Sequence, residues 1–234
     1  MQTVFRRRGT LAAVGRGLYN NAGRREPRHV WRPAWARAAR PAVGDYPMAS
    51  EMRRGLAIIL TGDGKGKTTA ALGLALRALG HGLRVTVVQF LKMRECGEHR
   101  SAERLATDLR IRRMGLGFVP PPGSCAASCG GAPGAREEHR GAASAAMEEV
   151  RRLLRGGACD MVVADEVLTA VALGLVEEQA VEALLQTRPS EVHLVLTGRG
   201  ATESLIRRAD LVTEMRAVKH PYDSGAAAQP GIEF

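Results

Sequence analysis

From residue 56 onward, short apolar runs alternate with longer segments in which apolar positions recur at helical spacing. Leu56-Ala57-Ile58-Ile59-Leu60 is a run with no polar interruption, the signature of a strand buried on both faces. An alanine- and leucine-rich helix is predicted over 67–79, and Gly80-His81-Gly82 ends it. Further strands are predicted at 83–90, 109–113, 160–164 and 191–196, and helices at about 98–107, 136–155, 177–186 and 201–208. Strands that take turns with helices predict an α/β fold: a single domain over 51–234 with a mostly parallel sheet and helices on both faces. Ligands bind such sheets outside the carboxyl ends of the strands. Thr61, Asp165 and Thr197 all fall at such ends. Residues 115–135, with Pro120, Pro121, Pro122 and Pro133, read as a long loop of the kind that is usually functional or mobile.

Residues 1–50 lack sustained periodicity and are rich in arginine, alanine and proline. Two readings stand: an organelle-targeting presequence, or translated upstream sequence ahead of a working start at Met48 or Met52. The segment also explains the charge. Residues 1–47 hold ten arginines against Glu26 and Asp45, which is most of the chain's net +10. The remainder is nearly balanced, so a basic nucleic-acid surface is not expected. No apolar run reaches the length of a membrane span, so a soluble, cytoplasmic protein is expected, organellar only if 1–47 is a true targeting segment. Hydrophobic residues make up 45% of the chain but aromatics only 4%, so aliphatic side chains must fill the core. Four cysteines do not form a disulfide framework at this size. Cys125 and Cys129 form a C-x₃-C pair that reads as a reduced loop or as part of a metal or redox site.

The densest chemistry lies in Thr61-Gly62-Asp63-Gly64-Lys65-Gly66-Lys67-Thr68-Thr69, between the first strand and the first helix. Glycines let the backbone wrap an anion, and the helix start turns its N–H groups toward phosphates. Lys67 is placed to reach the terminal phosphates and the Thr68 hydroxyl to ligate Mg²⁺. The strict phosphate-loop pattern has glycine where this chain has Thr61. Asp165-Glu166 closes an apolar strand and reads either as the acidic part of a Mg²⁺–nucleotide site or as a helix cap. Arg199, flanked by Gly198 and Gly200, reads as a bidentate phosphate contact or as a surface turn residue. Neither a G-x-S-x-G motif nor a cysteine–histidine arrangement is apparent, so covalent catalysis by a side chain is not expected.

TGDGKGKTTAALGLALRALGHGLRVTVVQFLK, DMVVADEV, HLVLTGRGATESLIRRADLVTEMRAVKHPYD and the final GIEF together resemble the corrinoid adenosyltransferases of the CobA/CobO/BtuR type. The resemblance runs, with one gap, from about Arg54 to Phe234. It implies a RecA-like phosphate-loop fold and transfer of the 5′-deoxyadenosyl group of ATP to Co(I) of a corrinoid, with triphosphate released. It further implies that Gly62, Asp63, Gly64, Lys65, Gly66, Lys67, Thr68 and Thr69 bind the phosphates. Lys67 and Arg199 then act on the leaving group, and Thr68, Glu166 and, more weakly, Asp165 hold Mg²⁺ or Mn²⁺. A homodimer and a reductase or flavodoxin-type electron donor are implied as partners. Family members usually carry Gly-Phe-Thr-Trp, aromatics that condition the corrinoid for reduction. Here Phe118 stands at the family position and Pro120 replaces the tryptophan. The tail 226–230 lacks the lysines usual before Gly-Ile-Glu. Two other functions remain open from the residues: a different phosphate-loop hydrolase or kinase, and a binding protein that has lost catalysis.

Overall fold

The computed structural model describes residues 54–105, 108–117, 119 and 135–233, all within the compact unit Asp45–Phe234. The expectations for residues 1–50, Phe118, Pro120, Cys125 and Cys129 lie outside the described residues. Six strands form one sheet: β1 (Ala57–Thr61), β2 (Val85–Gln89), β3 (Leu109–Arg113), β4 (Met161–Asp165), β5 (His193–Thr197) and β6 (Leu211–Glu214). Their order is β3-β2-β4-β5-β1-β6, and every pairing is parallel. Helices α1 (Lys67–Gly80), α2 (Gly97–Leu105), α3 (Ala135–Arg155), α4 (Val167–Ala172), α5 (Glu178–Thr187) and α6 (Glu203–Arg208) connect them, and a 3₁₀ turn spans Pro221–Ser224.

The strand pleat sorts the core into two layers. Ile58, Leu60, Val85, Val87, Met161, Val163 and Val195 meet Ala71, Ala75 and Ala78 of α1 on one face. Ile59, Val88, Val162, Ala164, Leu194 and Leu196 point the other way, onto α3, α4, α5 and Leu205 of α6. This is the two-residue alternation of a sheet covered on both sides, and it explains why the runs read as continuously apolar. Alanine on the inner face of α1 lets that helix approach the sheet closely. Aliphatic packing dominates as expected; among the described residues Phe90 is the largest fully buried side chain.

Two elements go beyond those expected from the hydrophobic pattern. The six-residue α4 succeeds Asp165-Glu166 directly, and β6 adds to β1 at the sheet edge. β6 reads weakly in sequence because it is exposed along its whole length, so no apolar run marks it. The residue after β6 ties down the glycine-rich loop: the Met215 N–H donates to the Thr61 carbonyl at 2.8 Å, and the Gly64 N–H donates to the Met215 carbonyl at 2.7 Å. The edge strand thus braces the loop through its carboxyl end.

Chain direction across the sheet decides where a crevice forms. The path from β1 to β2 to β3 steps toward one edge, and the path from β3 through β4 and β5 to β6 steps toward the other. With crossovers of one hand, the two paths put their helices on opposite faces, and a crevice opens between β1 and the β4–β5 pair. Truncation within the central sheet tests the core assignment. Ile59→Ala, at a fully buried position, is expected to cost about 2–5 kcal/mol in urea unfolding. Leu76→Ala, at a position 58% exposed, is expected to stay within about 0.5 kcal/mol.

Candidate active site

Strands β2, β4 and β5 each end in a polar residue on the face that carries α1. Gln89 lies beside Asp165 in register, and Thr197 lies one step further across the sheet. All three are buried, as Gln89, Asp165 and Thr197 are 0%, 2% and 0% exposed. Burial of a carboxylate requires donors. Asp165 Oδ1 accepts from the hydroxyls of Thr68 at 2.8 Å and Thr197 at 2.7 Å, and Oδ2 accepts from the Gln89 carboxamide at 3.3 Å. Thr68 is the second residue of α1, so this bond ties the acidic strand end to the helix that carries the glycine-rich loop.

The loop takes its shape from glycine. Gly62 and Gly66 adopt φ of +94° and +116°, and a Cβ on Gly62 would sit 2.4 Å from the Met215 carbonyl oxygen. Lys67 folds back over the loop and donates to the carbonyls of Gly62 at 2.7 Å and Gly64 at 2.8 Å. Burial depresses its pKa below the ordinary 10.5 and Arg199 adds to this, against the opposing pull of Glu166 and Asp63. An anion arriving at the loop would reverse that depression.

Glu166 is the one described non-glycine residue with positive φ, at 63°, a conformation that costs on the order of 1–3 kcal/mol. Its N–H donates to Thr197 Oγ1 at 2.9 Å, and its carboxylate accepts from the Thr169 hydroxyl. Glu166, not Asp165, occupies the cap position of α4, and it makes no side-chain cap bond. The capping alternative for Asp165 is therefore set aside, and its carboxylate is held by Thr68, Thr197 and Gln89 instead. Thr169, which sequence reasoning missed, also accepts the Arg199 N–H at 2.9 Å and so links the two motifs. The Arg199 guanidinium is exposed and donates to the Asp63 carbonyl at 3.4 Å.

These groups face a cavity of about 750 Å³. It is lined by Asp63, Gly64, Lys65, Gly66, Lys67, Thr68, Thr69, Glu166 and Arg199, which brings the predicted loop residues, one acid and the arginine together. Gly62 stands just behind the wall through its carbonyl, and Asp165 behind it through Thr68. The lining also holds Lys92 and Glu98, which form an ion pair. Burial pushes the Glu98 carboxyl upward, but the hydrogen bond and charge of Lys92 outweigh it and the net shift is down. Gly231, Ile232 and Glu233 also line the cavity, and Glu233 stands 4.0 Å from Lys65. Cys96 and His99 meet through the backbone and not through the thiol: the Cys96 N–H donates to His99 Nδ1 at 2.8 Å, and the Cys96 Sγ contacts the Arg94 carbonyl. Neither lines this cavity. The signal that could have found Gln89 is a polar residue closing an otherwise apolar strand.

The oxygen donors that line the cavity, the Thr68 hydroxyl and the Glu166 carboxylate, suit a hard cation such as Mg²⁺, with Asp165 one step behind Thr68. Thr68 gives its proton to Asp165 and so offers its oxygen outward as a lone-pair donor. The residues fit a metal-bound nucleotide.

The sequence profile described as ATP:corrinoid adenosyltransferase BtuR/CobO/CobP matches residues 53–234. The chain belongs to this family. It is 37% identical over 195 residues to the corrinoid adenosyltransferase of Pseudomonas aeruginosa, covering 82% of this chain and 91% of that one. The corrinoid adenosyltransferase CobA of Salmonella typhimurium is 37% identical over 186 residues, 79% of this chain and 88% of that one. The Escherichia coli K12 corrinoid adenosyltransferase is 36% identical over 182 residues, 77% and 86% of the two chains. Among solved structures, flagellar accessory protein FlaH from Methanocaldococcus jannaschii aligns with a TM-score of 0.45 at 12% identity, over 71% of this chain and 74% of that one.

The depressed pKa of Lys67 sets a pH dependence. Only its charged form attracts a polyphosphate, so ATP affinity should hold at neutral pH and fall as pH rises through the lowered pKa, before 10.5 is reached. The free protein behaves oppositely: the cost of the buried ammonium is relieved as pH rises through that value. Calorimetric ATP titrations in buffers of different ionisation enthalpy should show proton uptake on binding in this alkaline window. The uptake should vanish in Lys67→Met.

Proposed function

We propose that this protein transfers the 5′-deoxyadenosyl group of ATP to the Co(I) centre of a reduced corrinoid and releases triphosphate. The single observation that carries this reading is the joining of Lys67, Thr68, Glu166 and Arg199 around one cavity in a chain of the adenosyltransferase family. In the reaction the cobalt electron pair forms the Co–C5′ bond as the C5′–O bond breaks, and the electrons of the broken bond leave with triphosphate. The nucleophile comes with the substrate, so the protein supplies no attacking side chain. Its task is to hold the leaving group and neutralise the charge that develops on it.

Lys67 and the loop N–H groups take the phosphates, and Arg199 meets them from the β5 side. Thr68 and Glu166 hold Mg²⁺, or Mn²⁺ in its place, with Asp165 acting through Thr68. When bound, the metal adds positive charge against the triphosphate. Gly62 and Gly66 keep the backbone close to the anion, while Asp63, Lys65 and Thr69 line its path. Phe118 meets the corrinoid. Cobalamin and its a,c-diamide precursor are the corrinoids that this reading assigns, delivered as Co(I) with the help of a reductase or flavodoxin-type donor in the cytoplasm. No described helix is long and apolar enough to cross a membrane.

The experiment mixes the full chain anaerobically with Mg-ATP and chemically reduced cobalamin, or with the a,c-diamide, and tracks the visible spectrum and triphosphate together. Both products are expected in equal amounts. Phosphate or ADP without a corrinoid change would make the protein a nucleotide hydrolase instead. Lys67→Met and Arg199→Ala should each lower the transfer rate by about 100-fold or more, as removal of one charge-stabilising donor does. The protein is also assigned as a homodimer. Leu211 and Val212 on the edge strand β6 are 43% and 38% exposed, apolar surface that suits self-association. Light scattering should return twice the chain mass; the mass of one chain would reject the dimer.

A further inference from the structure

A run of buried polar groups behind the cavity wall is not used by the transfer chemistry described above. It begins at His99 on α2, 8% exposed, and ends at Asp165. His99 Nδ1 lies 2.8 Å from the Cys96 N–H and 3.3 Å from the Cys96 carbonyl. A proton on Nδ1 would oppose the nearer N–H, so Nδ1 accepts and the ring proton belongs on Nε2. That proton is donated to Gln89 Oε1 at 2.8 Å. With its oxygen taken, Gln89 turns its NH₂ to two carboxylates, Asp165 Oδ2 at 3.3 Å and Glu98 Oε1 at 3.4 Å. The reverse orientation would bring the carboxamide oxygen against both acids. Every member of the chain is therefore polarised in one sense.

The consequence reaches the site. Asp165 has two oxygens: Oδ1 serves Thr68 and Thr197, and Gln89 restrains Oδ2. Rotation of the carboxylate would disturb the Thr68 hydroxyl, the group aimed at the metal. Through Glu98, the same amide also touches the ion pair that holds Lys92 in the cavity lining. We propose that His99, acting through Gln89, is a positioning residue that fixes the Asp165 carboxylate and thereby the metal-facing hydroxyl of Thr68. The proposal rests on the adenosyltransferase reading only in assigning a metal-bound nucleotide to this cavity.

The test compares His99→Phe with His99→Gln in the full chain. Phenylalanine fills the ring volume without a donor, whereas the glutamine amide nitrogen falls near the position of Nε2 and restores the bond to Gln89. ATP affinity is measured by calorimetry in EDTA and across a Mg²⁺ titration, with no corrinoid present. Metal-free affinity is expected to be the same in all three proteins. His99→Phe should need about tenfold more Mg²⁺ to reach half of the metal-dependent gain, the lower end of what loss of a ligand-orienting partner costs. His99→Gln should stay within about twofold of the unaltered protein. An unchanged Mg²⁺ dependence in His99→Phe, or equal impairment of both variants, would overturn the proposal. If His99→Phe does not fold, His99→Asn, which keeps an acceptor toward Cys96 but falls short of Gln89, replaces it with the same expected contrast. Because corrinoid is absent from these measurements, a failed transfer assay counts against the proposed reaction and leaves this comparison intact.

Discussion

The Asp165 carboxylate, 2% exposed at the end of a fully buried strand, is the constraint around which the site is arranged. An ionised carboxylate so far from water is tolerable only with several donors in good geometry. Those donors come from three different segments: Gln89 ends β2, Thr197 ends β5 and Thr68 opens α1. Satisfying one charge thus pins the register of three adjacent strands and the start of the helix that carries the phosphate loop. The parallel sheet makes this arrangement available, since it brings the carboxyl ends of β2, β4 and β5 to one level.

Around this anchor the charged groups of the cavity gather. Lys67 and Arg199 stand on the loop side, where burial holds the lysine's pKa below its ordinary value against the pull of Glu166 and Asp63. Lys92 stands on the α2 side already paired with Glu98. A buried lysine beside the glycine loop, with Lys92 already paired elsewhere in the lining, favours a polyphosphate lying against the loop. For a reaction in which a multiply charged leaving group departs and the nucleophile arrives with the other substrate, positioned positive charge is the main thing a protein can contribute. The strained backbone of Glu166 belongs to the same design, because the left-handed turn lets its N–H reach Thr197 while its carboxylate enters the cavity.

The amino-acid sequence by itself determined the buried strands, the glycine loop and the order of the motifs. Each of these is written locally, in uninterrupted Val, Ile and Leu, in Gly-x-Gly-x-Gly and in polar residues that end apolar runs. Its reading of strands and helices agrees with the structure to within a few residues at the central sheet, where burial on both faces forces an unmistakable composition. It was silent on β6 and α4. β6 is exposed throughout and leaves no apolar run, and α4 is a six-residue helix set by a left-handed Glu166. Only the tertiary structure decided that Gln89 and Thr169 join the hydrogen bonds of the site, since their partners lie 76 and 30 residues away. It also decided against a capping role for Asp165, because Glu166 holds the cap position of α4. Local sequence carries the cost of exposing apolar surface, but the satisfaction of a buried charge is a property of whichever strands the fold sets side by side.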